Sequence, residues 1–407
     1  MTTHFVDDTR DELRLRGSVV LFMSLAAALG TSTIYPLQPA IAEVAGSLHA
    51  SIAVVGFALA GGPIGYLVGL VLLVPLVDRF PPGRTLAIQF GALGVALAVS
   101  AVADRAWQVG LLIGVVGACS AVGASLSSLA GRLAPARRRA TILGIVTAGI
   151  SAGILAGRIA GGWLADAIGW RGMLLVFAAA CLCAAGLCAV LLPGTAGTAE
   201  LRYLATLRSL PGLFVRHVTL RIAAVCGALW FFAFCAVWAG LAVALSAPPF
   251  SYSAEQIGLF ALAGLAGIPA TQVAGRWTDR VGAARVILLG LALAGAAVIV
   301  AGLTLANAVA VLICLALFDA GLFAAQVANQ STVLAIDPHA PARFNSAYML
   351  VYFVGGSLGT ACGAASVERF GWSATALAAA GAIGLAAVIA VINGRGPVKS
   401  GARALIF

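Results

Sequence analysis

Two side chains of opposite charge lie deep inside otherwise apolar runs of this 407-residue sequence, Arg158 in the run 139–166 and Asp319 in the run 306–334. An arginine inside a membrane-spanning segment costs between about 2.5 and well over 10 kcal/mol unless it is solvated or paired. A guanidinium and a carboxylate removed from water reduce each other's penalty, so the two are expected to communicate. Asp319 is the only carboxylate near the middle of any such run. A carboxylate whose surroundings alternate between wet and dry can take up and release a proton. Proton coupling is therefore assigned to Asp319 and Arg158. The alternatives for Arg158 are outward snorkelling, or a bond to a carbonyl or an anionic substrate.

The run that holds Asp319 also presents Gln326, Asn329 and Gln330. Asp319, Gln326 and Gln330 fall on one helix face with Asn329 beside it. Such a stripe suits the wall of a watery cavity or, alternatively, a hydrogen-bonding patch between helices. The first run, 17–43, contributes Thr31, Ser32, Thr33, Tyr35 and Gln38, with Pro36 and Pro39 among them. Prolines free backbone carbonyls that these side chains can re-satisfy. Trp230, Phe231, Phe232, Phe234 and Trp238 in the run 219–247, with Tyr348 and Tyr352 in 343–367, suit an amphipathic organic ligand, a cationic one included, or contact with lipid. The substrate-binding set is thus Tyr35, Gln38, Trp230, Phe234, Asp319, Gln326, Asn329, Gln330, Tyr348 and Tyr352. No catalytic triad, paired carboxylates, metal-ligand spacing or Walker-type loop occurs, so neither an enzyme nor a cofactor or metal is expected. The eight cysteines all sit in apolar runs and are read as packing residues.

The elements that must position these residues follow from composition. The chain is 62% hydrophobic and 9% charged, where soluble domains run about 45–50% and about 25%. That excludes a soluble enzyme, a nucleic-acid-binding domain and a disordered chain. The net charge of +10 is not interleaved with aromatics as in nucleic-acid binders. A spanning helix needs about 20 apolar residues, and twelve runs meet the need: 17–43, 50–77, 84–103, 107–133, 139–166, 171–193, 219–247, 255–278, 283–303, 306–334, 343–367 and 372–393. The longest stretch between runs, 194–218, separates a six-helix half, 1–193, from a second, 219–407. The first run is too long for a signal-peptide core. With the N-terminus inside, 20 of the 24 basic residues face the cytoplasm, which predicts that both termini are cytoplasmic in a bacterial inner membrane.

The halves repeat. Val77-Asp78-Arg79 after the second run answers Thr278-Asp279-Arg280 after the eighth, Pro135-Ala136-Arg137 answers Pro341-Ala342-Arg343, and Gly169-Trp170 answers Gly371-Trp372. Parallel six-helix repeats place a substrate site near the midplane between the halves. On these residues the whole chain resembles the major facilitator superfamily. The loop signature of that family, Gly-x-x-x-Asp-Arg-x-Gly-x-x-Arg, stands as Gly275, Asp279, Arg280, Gly282 and Arg285 in the second half. In the first half Asp78, Arg79 and Arg84 remain, with Val74 and Pro81 in place of glycines. The fifth run is similar to the family's antiporter signature through Gly144, Gly153, Gly157, Gly161 and Gly162, with Arg158 where proline is usual. Val74-Pro75-Leu76-Val77-Asp78-Arg79, Arg158-Ile159-Ala160-Gly161-Gly162 and Asn329-Gln330 are similar to a bacterial inner-membrane efflux-type branch.

The resemblance implies an all-α membrane protein of twelve transmembrane helices in two six-helix bundles. It also implies a chamber lined by the first, fourth, seventh and tenth helices. Asp78 can accept charge-assisted bonds from Arg84 or Arg132 and face the helix N-terminus near Arg343 in the other half. Such a latch would close the cytoplasmic side; the plainer reading is that these loops only satisfy topology. Gating is assigned to Asp78, Arg79, Arg84, Arg132, Gly153, Gly157, Gly161, Asp279, Arg280 and Arg343, with static packing the alternative for the glycines. The expected function is proton-coupled efflux of a small organic molecule by a monomer in the lipid bilayer. Uptake or facilitated diffusion of a nutrient, and a non-transporting sensor or assembly protein, are the alternatives.

Overall fold

The computed structural model describes residues 17–135, 137–192, 194, 203–337 and 340–394, and every regular element among them is helical. Helix α1 spans Gly17–Ser32. After it come α2 (Ile52–Arg79), α3 (Pro82–Ala101) and α4 (Ala106–Leu133). The helical stretch Arg139–Leu191 changes direction at Gly169, whose φ is 76°, and so comprises α5 (139–168) and α6 (170–191). A separate helix, Tyr203–Arg216, lies between the halves. The second half has α7 (Val218–Ser246), α8 (Ala254–Val281), α9 (Ala283–Leu303) and α10 (Ala308–Leu334). Its last stretch, Pro341–Gly394, turns at Gly371, φ 81°, into α11 (341–370) and α12 (372–394). Only glycine takes such φ values without steric penalty. The result is twelve spans in two bundles.

Local chemistry fixes several starts. Ser253 and Gln256 form a capping box ahead of α8, Ser51 caps α2, and the Asn307 side chain accepts from Ala310 N before α10. Several spans depart from regular helices; α2 is interrupted at Ala60 and at 73–75, and α4 at Ala121. The first run was expected to be one helix over 17–43, but α1 stops at Ser32 and the chain passes through turns to a short helix, Ile41–Ser47. Pro36 and Pro39 withhold the N–H groups that would continue it. Within α8 the stretch Phe260–Ala266 is wound as a 3-10 helix.

The repeat is visible in the packing. Gly153, Gly157 and Gly161 of α5 press on Ala28 and Ser32 of α1 and on Pro36 just after it, where an added Cβ would overlap main-chain atoms. Gly355, Gly359 and Gly363 of α11, each 202 residues later, press in the same way on Ala228, Phe232 and Ala236 of α7. Each half is therefore stitched internally by small residues that let backbones touch. Between the halves, Gly162 of α5 abuts Ala254 of α8, Gly56 of α2 abuts Ala364 of α11, and Ser357 Oγ donates to Ala60 O at 2.9 Å. The outer surface carries exposed aliphatic side chains such as Leu111, Val190 and Leu303, as a lipid-facing belt requires.

Candidate functional site

A cavity of about 170 Å³ lies between the halves. Its wall is built from α1 and the turn after it (Thr31, Tyr35, Gln38), α2 (Tyr66), α5 (Ile154, Arg158), α7 (Trp230, Phe231, Phe234), α10 (Leu322, Phe323) and α11 (Tyr352, Phe353). The expected chamber of first, fourth, seventh and tenth helices is thus corrected. No α4 residue lines this space, and α2, α5 and α11 take part. The reason is the seam packing: α5 is drawn against α1, and α11 against α7, which brings both to the interface. The Pro36–Pro39 break turns Tyr35 and Gln38 inward. Thr31 and Thr33 return their hydroxyls to carbonyls one turn back, at 2.9 and 2.8 Å. Phe231 stacks on Tyr352 with ring centroids 4.0 Å apart, and Tyr66 meets Phe353 across the interface at 5.1 Å.

Arg158 is buried, 4% exposed, and Asp319 is 1% exposed. The Arg158 Nε–H donates to Gln38 Oε1 at 3.0 Å. Its guanidinium carbon sits 4.2 Å from the Trp238 ring centre, 4.8 Å from that of Tyr35 and 5.9 Å from that of Phe234. The indole N–H of the same Trp238 donates to Asp319 Oδ1 at 3.3 Å. No Arg158–Asp319 ion pair forms among the described residues; instead one indole offers its face to the cation and its edge to the carboxylate. Snorkelling does not describe this arginine. Asp319 itself sits behind Trp238, near Gly264 in the 3-10 stretch of α8, and off the cavity wall.

The polar stripe of α10 divides. Asn329 donates to Ala223 O at 2.9 Å, Tyr348 OH donates to Gln326 Oε1 at 2.6 Å, and Gln330 donates to Asn345 Oδ1 at 2.8 Å. Gln326, Asn329, Gln330 and Tyr348 therefore knit α10 to α7 and α11, and none lines the cavity. Of the ten substrate-binding residues expected from sequence, the structure brings Tyr35, Gln38, Trp230, Phe234 and Tyr352 to the wall.

At the loop end of the bundle, Arg132 donates to Asp78 Oδ1 at 3.0 Å and to Val77 O at 3.2 Å. Both residues belong to the first half. Arg79 lies over the Phe80 ring, Arg84 borders a second pocket with Phe80 and Gln89, and Asp279 and Arg280 are exposed. Arg343 Nε is buried without a partner among the described residues. Gly153, Gly157 and Gly161 face the first helix of their own half and the turn after it, and Gly162 is the one that meets α8. The opposite end holds contacts that sequence reading missed. Asp166 at the end of α5 accepts from Ala254 N and Glu255 N of α8, at 3.0 and 2.8 Å. Glu368 at the end of α11 accepts from Ala53 N of α2 at 2.7 Å. The two acids are 202 residues apart, the spacing of the glycine seams, and that spacing was the signal that could have found them.

A profile of the Major Facilitator Superfamily matches residues 20–247 and again 227–405. The chain is 30% identical over 375 residues to the uncharacterized transporter YgaY of Escherichia coli O157:H7, covering 91% of this chain and 94% of that one. It is 32% identical over 355 residues to the probable transporter SCO4007 of Streptomyces coelicolor, covering 86% and 81%. Among solved structures, a bacterial homolog of the human lysosomal transporter Spinster, inward-facing and unoccupied, superposes with a TM-score of 0.71 at 15% identity over 92% of this chain and 95% of that one. A point mutant of the nucleoside transporter NupG gives 0.74 at 13% identity over 92% and 99%.

Proposed function

The chain belongs to the major facilitator superfamily, and on that premise we propose that this multi-pass transport protein is a secondary active transporter. It carries a small organic molecule through the cavity by alternating access, with proton traffic at Asp319 as the drive. The observation that carries the reading is the Arg158–Trp238–Asp319 chain, which crosses from one half to the other beside the cavity. Any motion that separates α5 from α7 withdraws the Arg158 cation from the Trp238 ring and from the carboxylate behind it, while the Trp238–Asp319 bond stays within the second half. Protonation of Asp319 and the position of the halves are thereby linked.

Efflux by proton exchange is the direction suggested by the resemblance. Uptake together with a proton is the second reading; the missing ion pair leaves the guanidinium available to an anion whichever way it moves. We place both termini and the Asp78 loop in the cytoplasm of a bacterium, on the strength of the basic-residue bias, and divide the chain at 194–218. The acting unit is a monomer. The hydrogen bonds of Ser357 to Ala60, of Ala53 to Glu368 and of Ala254 and Glu255 to Asp166 join the halves at midspan or at the end opposite Asp78, which supports a state open to the cytoplasm in which the Asp78 latch to α11 is released. A purely structural protein would need no such cavity. Proteoliposomes with a trapped pH dye test the coupling. Substrate-dependent proton flux should vanish in Asp319→Asn while substrate exchange persists, and its sign decides direction; flux that survives the substitution refutes the assignment.

A further inference from the structure

We infer that the transported molecule is an organic anion, its acid group held by the Nη nitrogens of Arg158 and its apolar body by the aromatic wall of the same cavity. This deepens the transporter reading and rests on it. A guanidinium carries five N–H donors. Among the described residues only Nε–H of Arg158 has an acceptor, Gln38 Oε1, although the side chain is 96% withdrawn from solvent and borders the cavity. Trp238, Tyr35 and Phe234 attract the cation, but rings satisfy charge and leave the in-plane donors unbonded. A buried cation with open donors is stabilised most by a carboxylate in the fork geometry. A second donor on the same wall is also unpartnered: Trp230 Nε1 is buried with no acceptor among the described residues.

The wall also excludes the opposite charge. Among the described residues no Asp or Glu lines it, so an organic cation would meet Arg158 with no counter-charge in contact. The aromatic rings, read from sequence as open to cations, already hold one. The free space of about 170 Å³ compares with a cavity of about 150 Å³ that holds benzene, which fits one aromatic ring with a short acid arm.

The inference sets the sense of coupling. Arg158 is the charged group acting on Asp319, and Tyr35 and Cys235 are the other titratable neighbours of Arg158. A bound carboxylate and an ionised Asp319 draw on the same guanidinium. Anion binding and proton uptake at Asp319 therefore favour each other, which is the second of the two readings above, substrate moving together with a proton rather than in exchange for one.

The test uses the purified full-length protein and two sets of compounds matched in ring and differing in charge: phenylacetate, phenylacetamide and phenethylammonium; indole-3-acetate, indole-3-acetamide and tryptamine. Calorimetric melting and titration report binding, and counterflow in vesicles reports transport. The carboxylates should raise the melting temperature and the amides and amines should not. Arg158→Gln should weaken carboxylate binding by about 10- to 100-fold, and Trp230→Phe by about 5-fold. Arg158→Lys should retain part of the affinity, and it carries the test with Trp230→Phe should Arg158→Gln not fold. Carboxylate affinity should fall as pH rises. Preference for an amide or amine, undiminished binding by Arg158→Gln, or no response to any carboxylate overturns the anion assignment. A neutral or cationic compound that binds and exchanges does so while leaving the transport reading intact. A carboxylate that binds through Arg158 yet never crosses the vesicle supports the site and refutes transport.

Discussion

The paired acids at the end opposite Asp78 set how tightly that end is held shut. Asp166 takes two N–H groups from the first turn of α8, and Glu368 takes one from the first turn of α2. In each case a carboxylate of one half caps a helix of the other. Losing a cap costs about 0.5–2 kcal/mol, and a charge at a helix N-terminus adds about 0.3–1 kcal/mol. Both acids are exposed, so solvent screens them and the lower part of the range applies, about 1 kcal/mol each. Asp166→Asn or Glu368→Gln should then shift the balance between the two states about fivefold toward opening of this end. The double variant should shift it about thirtyfold if the sites add, as separate sites generally do. Spin labels on engineered cysteines at Val102 and Leu303, both exposed at this end, would report the separation, in a background lacking the eight native cysteines. The long-distance population should grow in the order wild type, single variants, double variant. An unchanged distance distribution in the double variant would refute the latch, and Asp166→Glu should behave as wild type.

Four further outcomes follow from the packing and the charge chain. In a double-mutant cycle, Arg158→Ala and Asp319→Ala should be non-additive in pH-dependent flux; additivity within about 0.3 kcal/mol would mean separate roles. Trp238→Phe keeps the ring under Arg158 but removes the N–H to Asp319, so it should alter the pH dependence of flux more than substrate affinity, which titration checks. Asp78→Asn, losing the Arg132 pair, should reduce transport with little change in melting temperature, and cysteine accessibility of the cavity should change with it. Gly157→Ala and Gly359→Ala drive a Cβ into the facing backbone and should each lower stability by about 1–3 kcal/mol, seen as melting shifts; equal melting would refute the seam.

What could be read from the sequence was whatever repeats or is chemically expensive. Twelve apolar runs were legible because hydropathy is a local property, and Gly169 and Gly371 because they recur 202 residues apart, although their positive φ showed only in the fold. Arg158 and Asp319 stood out because a charge in an apolar run demands a partner. The partner itself was not legible: Trp238 serves both, and nothing in its spacing distinguishes it from the lipid-facing alternative. The α10 stripe suits either a cavity wall or a hydrogen-bonding patch between helices, and Gln326 and Asn329 spend their hydrogen bonds on Tyr348 and Ala223, as the second reading has it. A helix face is defined by sequence, but which neighbour it meets is defined by the packing of α11 on α7.

The scaffold is nearly symmetric and its chemistry is not, and that contrast is where transport would arise. Gly157 and Gly359 occupy equivalent seams, and Asp166 and Glu368 cap equivalent helices. At the place equivalent to Arg158, α11 carries Thr360, whose hydroxyl merely returns to Gly356 O at 3.0 Å. The cation therefore belongs to one half alone, while Asp319 and the indole that reaches it belong to the other. A pair confined within one rigid bundle would keep its geometry in every state. Under the proposed alternating access, a pair divided across the interface must change its interaction when the halves move, while the two internally stitched bundles keep their own packing.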